Sequence, residues 1–479
     1  MPRELITIQV GQCGNQIGCR FWDMALREHA AQNKQGRYDE ALSSFFRNVD
    51  NRYDPPTNLP VGDGRGSIRA LKARAVLVDM EEGVVNDLLK GPLAELFDDK
   101  QFITGVSGSG NNWAHGHHHY GPRYREELLE KVRKPAEESD SLQSFLLLHS
   151  LGGGTGSGVG TYILNLLEDE FPGVFRFAAS VFPSQDDDVI TSPYNALLAL
   201  AELTEHADCV LPIENAALQD VCSRIADRFA KQPTQAGSSL SGVDAGHRSS
   251  AGHGGAPFDG MNGVAASLLL NLTSSMRFEG ALNVDLNEIT MNLVPFPRMH
   301  YLISSMAPLA APRDLAQAAP SQRSIDQLFS DVFSPQHCLL RCDARLSTYL
   351  ACALLLRGPA TIADIGRNVA RLKPQLKFAH WNQDGFKVGL CSVPPANLPY
   401  SLLQLGNNCC IRNTFTAMQE RFAKLYKRKV YVHHYEQYME VACFEQARET
   451  VESLVQEYAS MDNVVLPTGC RPHMRPIGI

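Results

Sequence analysis

The feature that most constrains the fold of this chain is a glycine-rich run at residues 152–158, GGGTGSG. It follows an apolar stretch at residues 145–150 and precedes a helix-like segment at residues 162–167. A strand, a glycine loop and a helix in this order place backbone N–H groups around a phosphate at the helix N-terminus. Because glycine lacks a Cβ, the main chain can approach phosphate oxygens closely. The run therefore predicts a phosphate-binding loop, and its position between apolar segments disfavours a flexible Gly/Ser linker.

The spacing of this run fits neither of the two commonest phosphate-binding motifs. The P-loop pattern G-x-x-x-x-G-K-[ST] cannot be read through it, and no G-x-G-x-x-G begins at any of its glycines. The run therefore argues against a P-loop enzyme and against a dinucleotide-dependent dehydrogenase. We expect a third class of nucleotide-binding loop.

Short apolar strands alternate with helix-like segments through the amino-terminal half of the chain. The predicted strands are residues 4–10, 73–79, 145–150, 175–182 and 209–213, and the predicted helices are residues 15–29, 84–97, 124–133, 161–170 and 194–206. Such alternation predicts an α/β fold with a parallel sheet and helices on both faces. Nucleotides bind at the carboxyl ends of strands in sheets of this kind.

Composition sets the outer limits of function. The chain has 479 residues, a formal charge of -8 and 44% hydrophobic residues, which suits two or three domains with large cores. No apolar run reaches the length of a membrane span, and the amino terminus lacks the apolar stretch of a signal peptide. The twelve cysteines are scattered, which favours reduced thiols in the cytoplasm. The mild acidity gives no sign of nucleic-acid binding.

Several motifs together resemble the tubulin family. GQCGNQIG at residues 11–18 is similar to the first nucleotide loop of tubulins, GSGNNWA at residues 108–114 to the third, and GGGTGSG to the tubulin signature. NLVPFPR at residues 292–298 is similar to the stretch that follows the tubulin catalytic loop. The motifs occur in family order, and the similarity extends from about residue 3 to residue 460.

The resemblance implies the tubulin fold and its domains. These are a Rossmann-like GTP-binding domain at residues 1–214, an intermediate α/β domain at residues 215–408 and a C-terminal helical hairpin domain at residues 409–479. An apolar helical pattern at residues 258–278 is similar to the central helix of tubulins. Two amphipathic segments, residues 414–426 and 436–458, would form the carboxyl-terminal hairpin.

The resemblance also implies GTP or GDP and Mg²⁺ as cofactors. Glu81 is assigned to Mg²⁺ and Asp79 to its support, while Gly110, Asn111 and Asn112 form a γ-phosphate loop. The other implied nucleotide-binding residues are Gln12, Cys13, Gln16, Ser150, Gly153, Gly154, Thr155, Gly156, Asn215, Phe258 and Asn262. Phe258 stands where α- and β-tubulin have tyrosine, so ring stacking is kept and the hydroxyl is lost. Helix capping and solvated helix-start acids are the alternative interpretations of the polar residues.

Residues 280–288 resemble the catalytic loop of α-tubulin, and Glu288 matches its acidic residue. In α-tubulin that residue completes the nucleotide site of the neighbouring subunit, whereas β-tubulin has lysine there. A carboxylate can orient an attacking water beside the γ-phosphate. Assembly-coupled GTP hydrolysis is therefore predicted, the alternative being a helix-start acid in a chain that binds GTP and never hydrolyses it.

Four stretches depart from α- and β-tubulin. Residues 230–257 form a Gly/Ser-rich insertion, expected to be a disordered loop or a partner-binding element, and residues 466–479 contain no acid. Residues 306–322, at the lateral-contact loop, carry three prolines, and residues 183–188 are more acidic than their counterpart.

Three other stretches, at residues 21–30, 186–194 and 206–213, resemble a specialised branch of the family. That branch is associated with the cytoskeleton at centrosomes, centrioles and basal bodies, and is implicated with delta-tubulin in triplet microtubules. The implied partners are therefore delta-tubulin, alpha- and beta-tubulin and centriolar proteins, with no nucleic acid and no membrane. A subunit of the general microtubule lattice and a non-hydrolysing adaptor or cap stay open as alternatives.

A histidine-rich stretch covers residues 115–119. It suggests a zinc site, but no cysteine or acid lies at ligand spacing. We favour a solvent-facing loop beside the phosphate site.

Overall fold

A computed structural model gives the fold of this chain. It describes residues 3–33, 40–53, 56–61, 68–184, 187–230, 258–309, 324–396 and 398–462. Most of the insertion predicted at 230–257, most of the lateral-contact stretch at 306–322 and the acid-free residues 466–479 lie outside the described residues.

The described strands form three sheets. In chain order they are β1 Glu4–Val10, β2 Phe46–Asp50, β3 Thr57–Leu59, β4 Ala70–Ala73, β5 Ala75–Asp79, β6 Phe102–Thr104, β7 Leu142–Ser150, β8 Phe175–Phe182, β9 Cys209–Glu214, β10 Ile303–Ala307, β11 Tyr349–Arg357, β12 Phe386–Cys391 and β13 Ser401–Asn408. A six-stranded sheet has the order β6-β5-β1-β7-β8-β9 with every pairing parallel, a four-stranded mixed sheet has the order β10-β13-β11-β12, and a small antiparallel sheet has the order β3-β2-β4.

Helices cover both faces of the large sheet. They are α1 Gly11–Gln32, α2 Glu82–Leu89, α3 Gly121–Arg123, α4 Arg125–Glu137, α5 Gly160–Glu170, α6 Ser192–His206, α7 Asn215–Ala230, α8 Asp259–Leu272, α9 Ser274–Arg277, α10 Leu286–Leu293, α11 Ile325–Val332, α12 Ile362–Leu372, α13 Ile411–Tyr426, α14 Val432–Tyr435 and α15 Ala442–Asp462. Two π-helical segments, His115–Tyr120 and Thr155–Val159, precede α3 and α5, and 3₁₀ turns occur at Glu40–Ser44, Ala94–Leu96, Asp99–Gln101, Pro335–His337, Ala344–Leu346 and Lys373–Gln375.

The strands of the large sheet are apolar on both faces because helices cover both sides. Ile6 and Ile8 point into one core with α5, α6 and the C-terminal helices, whereas Leu5 points into a second core with α1 and α8. This split follows from the two-residue period of a strand. The predicted α/β class and parallel sheet are confirmed.

Several predicted helix boundaries were wrong. The helix predicted at 84–97 ends at Leu89, where Gly91 and Pro92 follow closely. The helix predicted at 258–278 is interrupted at Thr273, which separates α8 from α9. The last helix begins at Ala442, later than the predicted residue 436.

The chain order of the strands creates a switch point at the centre of the large sheet. After β1 the chain adds β5 on one side and β7 on the other. The loops that leave β1 and β7 therefore lie next to each other at the carboxyl edge of the sheet. Ligands bind at such points in open α/β sheets.

The second sheet and the large sheet meet around α8, which packs on α1 and contacts β11 and β13. A buried ion cluster crosses this junction. The Glu28 carboxylate on α1 accepts from Arg277 Nη1 at 2.8 Å and from Arg357 Nη1 at 3.0 Å. Although burial opposes ionisation, the two guanidinium groups lower the pKa of Glu28.

The C-terminal helices α13 and α15 pack on each other and on α6. Phe415, Phe422 and Phe444 belong to the same core as the large sheet. The predicted helical hairpin is therefore present and forms one outer layer of the molecule. None of the described helices has both the length and the apolar character needed to cross a membrane.

Candidate functional site

Two glycine loops meet where β1 and β7 end. Gly11 has a left-handed φ of 72°, and a Cβ on it would lie 3.0 Å from the Gly156 nitrogen. A Cβ on Gly14 would overlap the Leu148 carbonyl. At both positions the neighbouring atoms belong to the backbone and cannot move aside for a side chain. Glycine is therefore required at Gly11 and at Gly14.

The loop after β7 presents open backbone donors. The N–H groups of Gly152, Gly153 and Gly154 donate to no other described residue. Ser157 Oγ donates to the Gly153 carbonyl, which fixes the turn into the following π-helical segment. Adjacent unpaired N–H groups ahead of a helix suit a phosphate, so this loop has the form that its sequence predicts.

The loop at residues 108–112 is held against this glycine loop. Ser109 Oγ and Thr155 Oγ1 are 2.5 Å apart. Gly108, Gly110 and Asn111 all have positive φ, so the chain folds tightly beside β6. Gly110 and Asn111 are exposed and available to a ligand.

Asn112 is not available to a ligand in the same way. Its Oδ1 accepts from the Ala114 N–H at 2.9 Å, and its Nδ2 donates to the His434 carbonyl at 2.9 Å. The side chain therefore begins the next helix and ties the loop to the C-terminal region. Of the three residues predicted for the γ-phosphate loop, two face solvent and the third is structural.

Sequence analysis missed the residue that fixes both loops. Asn195, on α6 and fully buried, donates from Nδ2 to the carbonyls of Asn111 and Gly152, both at 2.8 Å. Thr191 Oγ1 donates to the Asn111 carbonyl at 2.9 Å. Sequence could have pointed to these two residues. They lie at the start of α6, which follows β8, and β8 ends at the same edge of the sheet as the two loops.

Two carboxylates lie at the end of β5 beside these loops, Asp79 as its last residue and Glu81 just after it. Burial, together with the nearby Glu81 charge, raises the pKa of Asp79 to about 6 although the backbone N–H of Glu81 donates to Asp79 Oδ1 at 3.3 Å. Glu81 is exposed and lies against Gly108. Carboxylate oxygens suit Mg²⁺, which takes its remaining ligands from phosphates and water. The residues present therefore fit the predicted cation.

Asn262 from α8 reaches the first loop, where its Nδ2 donates to Gln16 Oε1 at 3.3 Å. Phe258 precedes α8 with a φ of 70° and a ring that is 55% exposed. The side chain of Asn215, at the start of α7, makes no hydrogen bond to another described residue. The Phe258 ring can stack on a base. The amides of Gln16, Asn215 and Asn262, from three separate helices, have hydrogen-bonding groups left to contact its edge.

Gln12 and Cys13 open α1 at the same edge, with Gln12 exposed and Cys13 half-buried. Burial and the Asp187 carboxylate raise the pKa of the Cys13 thiol to about 12, which keeps it neutral. Ser150 is the last residue of β7. Its Oγ lies so close to Gly156 that a Cβ on that glycine would be only 2.9 Å away. The predicted nucleotide-binding residues therefore lie along a single edge of the large sheet.

Glu288 lies at the other end of the large sheet. Asp285, one helical turn before it, pairs with Arg3 at 3.0 Å, and Arg3 directly precedes β1. The phosphate loops follow the carboxyl end of the same strand, about 23 Å away for seven residues at ~3.3 Å each. Glu288 is partly exposed and paired with Lys387, a partner that sequence analysis did not identify. It cannot reach the loops of its own chain.

The prediction of a solvent-facing histidine loop was right for His118 and His119, which are exposed, and wrong for the loop conformation and for His117, which is buried. His115–Tyr120 is a π-helical segment, and His117 stacks on Trp113 with ring centroids 4.5 Å apart. Burial lowers the pKa of His117 to about 4. Within the residues that the structure describes, no three His, Cys, Asp or Glu side chains are grouped so that they could hold a metal ion.

Comparison with known proteins identifies the class that this fold and site define. The model of the Tubulin/FtsZ family GTPase domain matches residues 4–223, and that of the tubulin C-terminal domain matches residues 297–420. The chain belongs to the tubulin family, and the predicted tubulin fold is confirmed. It is a GTP-binding subunit whose partners are tubulins.

Among curated relatives, the chain is similar to the tubulin epsilon chains of Mus musculus and Homo sapiens. It is 55% identical to each over 473 residues, with 96% of both chains covered. It is 33% identical over 468 residues to the tubulin beta-1 chain of Homo sapiens, covering 95% of this chain and 93% of that one. The specialised branch that three sequence stretches resemble is that of the epsilon chains.

Proposed function

We propose that this chain is a head-to-tail tubulin subunit in which Glu288 completes the GTP site of the neighbouring subunit. The observation that supports this proposal is the separation of the two halves of the site. The phosphate loops follow the carboxyl end of β1, whereas Glu288 lies near Arg3 at its amino end. A contact that joins one end of a subunit to the opposite end of the next propagates as a filament.

The roles of the residues follow from their chemistry. The open N–H groups of Gly152, Gly153 and Gly154, with Thr155, would hold phosphate oxygens. Asp79 and Glu81 would hold Mg²⁺, which neutralises phosphate charge when bound. Gln16, Asn215, Phe258 and Asn262 would contact the base and ribose.

Glu288 of the next subunit would orient the attacking water and accept its proton. Because the isolated chain lacks this group at its own site, it should hydrolyse GTP very slowly. Turnover should therefore depend on assembly.

The cellular part of the proposal rests on similarity to epsilon chains and on the departures from α- and β-tubulin. The prolines within 306–322, in the stretch that resembles the lateral-contact loop, favour a specialised assembly over the general lattice. We infer a role at centrioles or basal bodies, in forming or maintaining triplet microtubules. Delta-tubulin, alpha- and beta-tubulin and centriolar proteins are the partners proposed.

The biochemical test compares nucleotide binding and turnover. The purified chain should bind GTP in preference to ATP, and GTP turnover per subunit should rise with protein concentration or with added tubulins. Glu288→Gln should keep binding and lose about 10²-fold or more of the assembly-dependent turnover. Fast turnover that is independent of concentration would contradict the shared site, and unchanged turnover in the variant would favour the non-hydrolysing adaptor.

The cellular test is super-resolution localisation of the tagged chain through the cell cycle. Signal confined to centrioles or basal bodies is expected. Signal along spindle and cytoplasmic microtubules would instead support a subunit of the general lattice.

A further inference from the structure

The side-chain amide of Asn195 makes four hydrogen bonds, which reach three different parts of the molecule. Its Nδ2 donates to Asn111 O and Gly152 O, both at 2.8 Å, and its Oδ1 accepts from the Trp113 N–H at 2.9 Å and from Tyr435 Oη at 2.6 Å. Asn195 and Tyr435 are fully buried. A single amide therefore joins the loop at 108–112, the glycine loop and α14.

The residues around Tyr435 make further contacts with this loop and with the elements next to it. We call residues 430–438 the brace segment. Its His434 carbonyl accepts from Asn112 Nδ2 at 2.9 Å, and its Tyr438 ring stacks on His115 with centroids 4.6 Å apart. Tyr194, next to Asn195, donates from Oη to the Val430 carbonyl at 2.8 Å. The brace segment thus contacts the loop at Asn112 and the following π-helical segment at His115, on either side of Trp113.

The brace segment also connects the two C-terminal helices. It lies between the end of α13 at Tyr426 and the start of α15 at Ala442. The backbone of the brace segment is constrained, because Tyr431 adopts a left-handed φ of 61° that residues with a side chain rarely adopt. A movement of the loop at 108–112 would therefore shift the segment that connects α13 to α15.

We propose that Asn195 is a positioning residue of the nucleotide site and that its bond to Tyr435 couples the γ-phosphate loop to the brace segment. The inference rests on the proposed GTP site. The carbonyls that Asn195 holds belong to Asn111, in the loop predicted to meet the γ-phosphate, and to Gly152, in the phosphate cradle. Losing the amide donors should weaken GTP binding, and losing the Tyr435 hydroxyl should reduce discrimination between GTP and GDP. Linkage requires the reverse effect, in which bound GTP protects the brace segment more than bound GDP does.

The experiment measures affinities for fluorescent GTP and GDP analogues in the full chain. Asn195→Asp keeps the shape but replaces both amide donors with an acceptor that faces two carbonyls. Tyr435→Phe removes only the hydroxyl. We expect Asn195→Asp to weaken GTP binding about tenfold or more, and Tyr435→Phe to lower the ratio of GTP to GDP affinity about three- to tenfold, as one lost hydrogen bond allows.

Matched controls come from the same chain. Asn407 is a fully buried amide whose Nδ2 also donates to two carbonyls, of Leu293 at 2.9 Å and Met299 at 2.6 Å. Tyr301 is a fully buried tyrosine whose Oη lies 2.7 Å from Thr204 Oγ1. Asn407→Asp and Tyr301→Phe should lower stability as much as the test variants do and leave the affinity ratio unchanged.

A second readout is hydrogen exchange of the brace segment with GTP and with GDP. The wild-type chain should show greater protection with GTP, and Tyr435→Phe should remove the difference. If Asn195→Asp does not fold, Tyr435→Phe decides alone. An affinity ratio equal to that of the controls would overturn the coupling while the GTP site stands. Failure of the wild-type chain to bind GTP would overturn the proposed function and this inference together.

Discussion

Lys387 at the start of β12 forms an ion pair with Glu288 on α10, although 99 residues separate them. The pair is partly exposed, on the surface that would meet the next subunit under the proposed function. Glu288 is therefore oriented by a cation of its own chain before any partner arrives.

Removal of this cation should reduce assembly-dependent turnover without abolishing it. Lys387→Met is expected to lower turnover about tenfold, because the carboxylate remains but is no longer held, and Glu288→Gln about 10²-fold or more. The double variant should be no slower than Glu288→Gln, since both changes act on one unit. Lys373→Met, which breaks the remote pair with Asp384, is the control and should have no effect. Additive losses would show that Lys387 acts independently of Glu288.

Glu28→Gln should destabilise the junction between the two sheets. The substitution leaves the buried guanidinium groups of Arg277 and Arg357 without their counter-charge, which costs about 3–5 kcal/mol in the free energy of unfolding. Asp343→Asn breaks a pair with the exposed Arg345 and should cost less than about 1 kcal/mol. Urea denaturation measures both, and equal costs would contradict a structural role for the buried cluster.

The same cluster predicts how stability depends on pH. Because the folded-state pKa of Glu28 is lower than its ordinary value, its contribution is fully present above about pH 4.3 and is lost as the pH falls through the folded pKa. The wild-type chain should therefore lose more stability than Glu28→Gln below pH 4.3. Parallel curves of urea midpoint against pH would argue against this assignment.

Mg²⁺-dependent GTP affinity should fall below pH 6. Burial raises the pKa of Asp79 to about 6, so in more acidic solution the carboxyl group is protonated and cannot support a cation. Asp79→Asn should bind Mg²⁺-GTP more weakly at pH 7 and should lack this additional pH dependence, whereas titration of the nucleotide phosphates is common to both proteins. Glu82→Gln, an exposed neighbour, is the control. An identical pH profile in wild type and Asp79→Asn would exclude Asp79 from cation binding.

Gly154→Ala should weaken nucleotide binding at least about tenfold, or about 1.4 kcal/mol. A Cβ there would lie 2.6 Å from the Asn112 nitrogen and 2.8 Å from Ser109 Cβ, so the two phosphate loops would be pushed apart. Gly83→Ala is the matched control because its Cβ would meet no atom within 4 Å. Fluorescent GTP binding distinguishes them, and unchanged affinity in Gly154→Ala would show that the spacing of the loops is unimportant.

The parts of the fold that sequence predicts are those encoded locally. The apolar runs at β1, β7 and β8 form strands that are mostly buried. In the run at 152–158, a Cβ on Gly154 or Gly156 would clash with neighbouring backbone, so glycine is needed there. The helix predicted at 84–97 ends at Leu89 instead, because Gly91 and Pro92 stop it.

The parts that could not be predicted depend on pairs that are distant in sequence. Asn195 meets Tyr435 across 240 residues, and neither residue belongs to a glycine loop. The histidine stretch was misread because its polarity favours a loop, whereas Trp113 and Tyr162 pack around His117 in the folded chain. Tertiary packing of this kind leaves no periodic signal.

The contact between Gln16 and Asn262 spans 246 positions of the chain. During synthesis the first 230 residues leave the ribosome with all six strands of the large sheet but without Asn262. Tyr435 follows 173 residues after Asn262, near the end of the described chain. We therefore expect a nascent chain that binds nucleotide late, and an aminoterminal fragment ending before α8 to be a poor substitute for the whole protein.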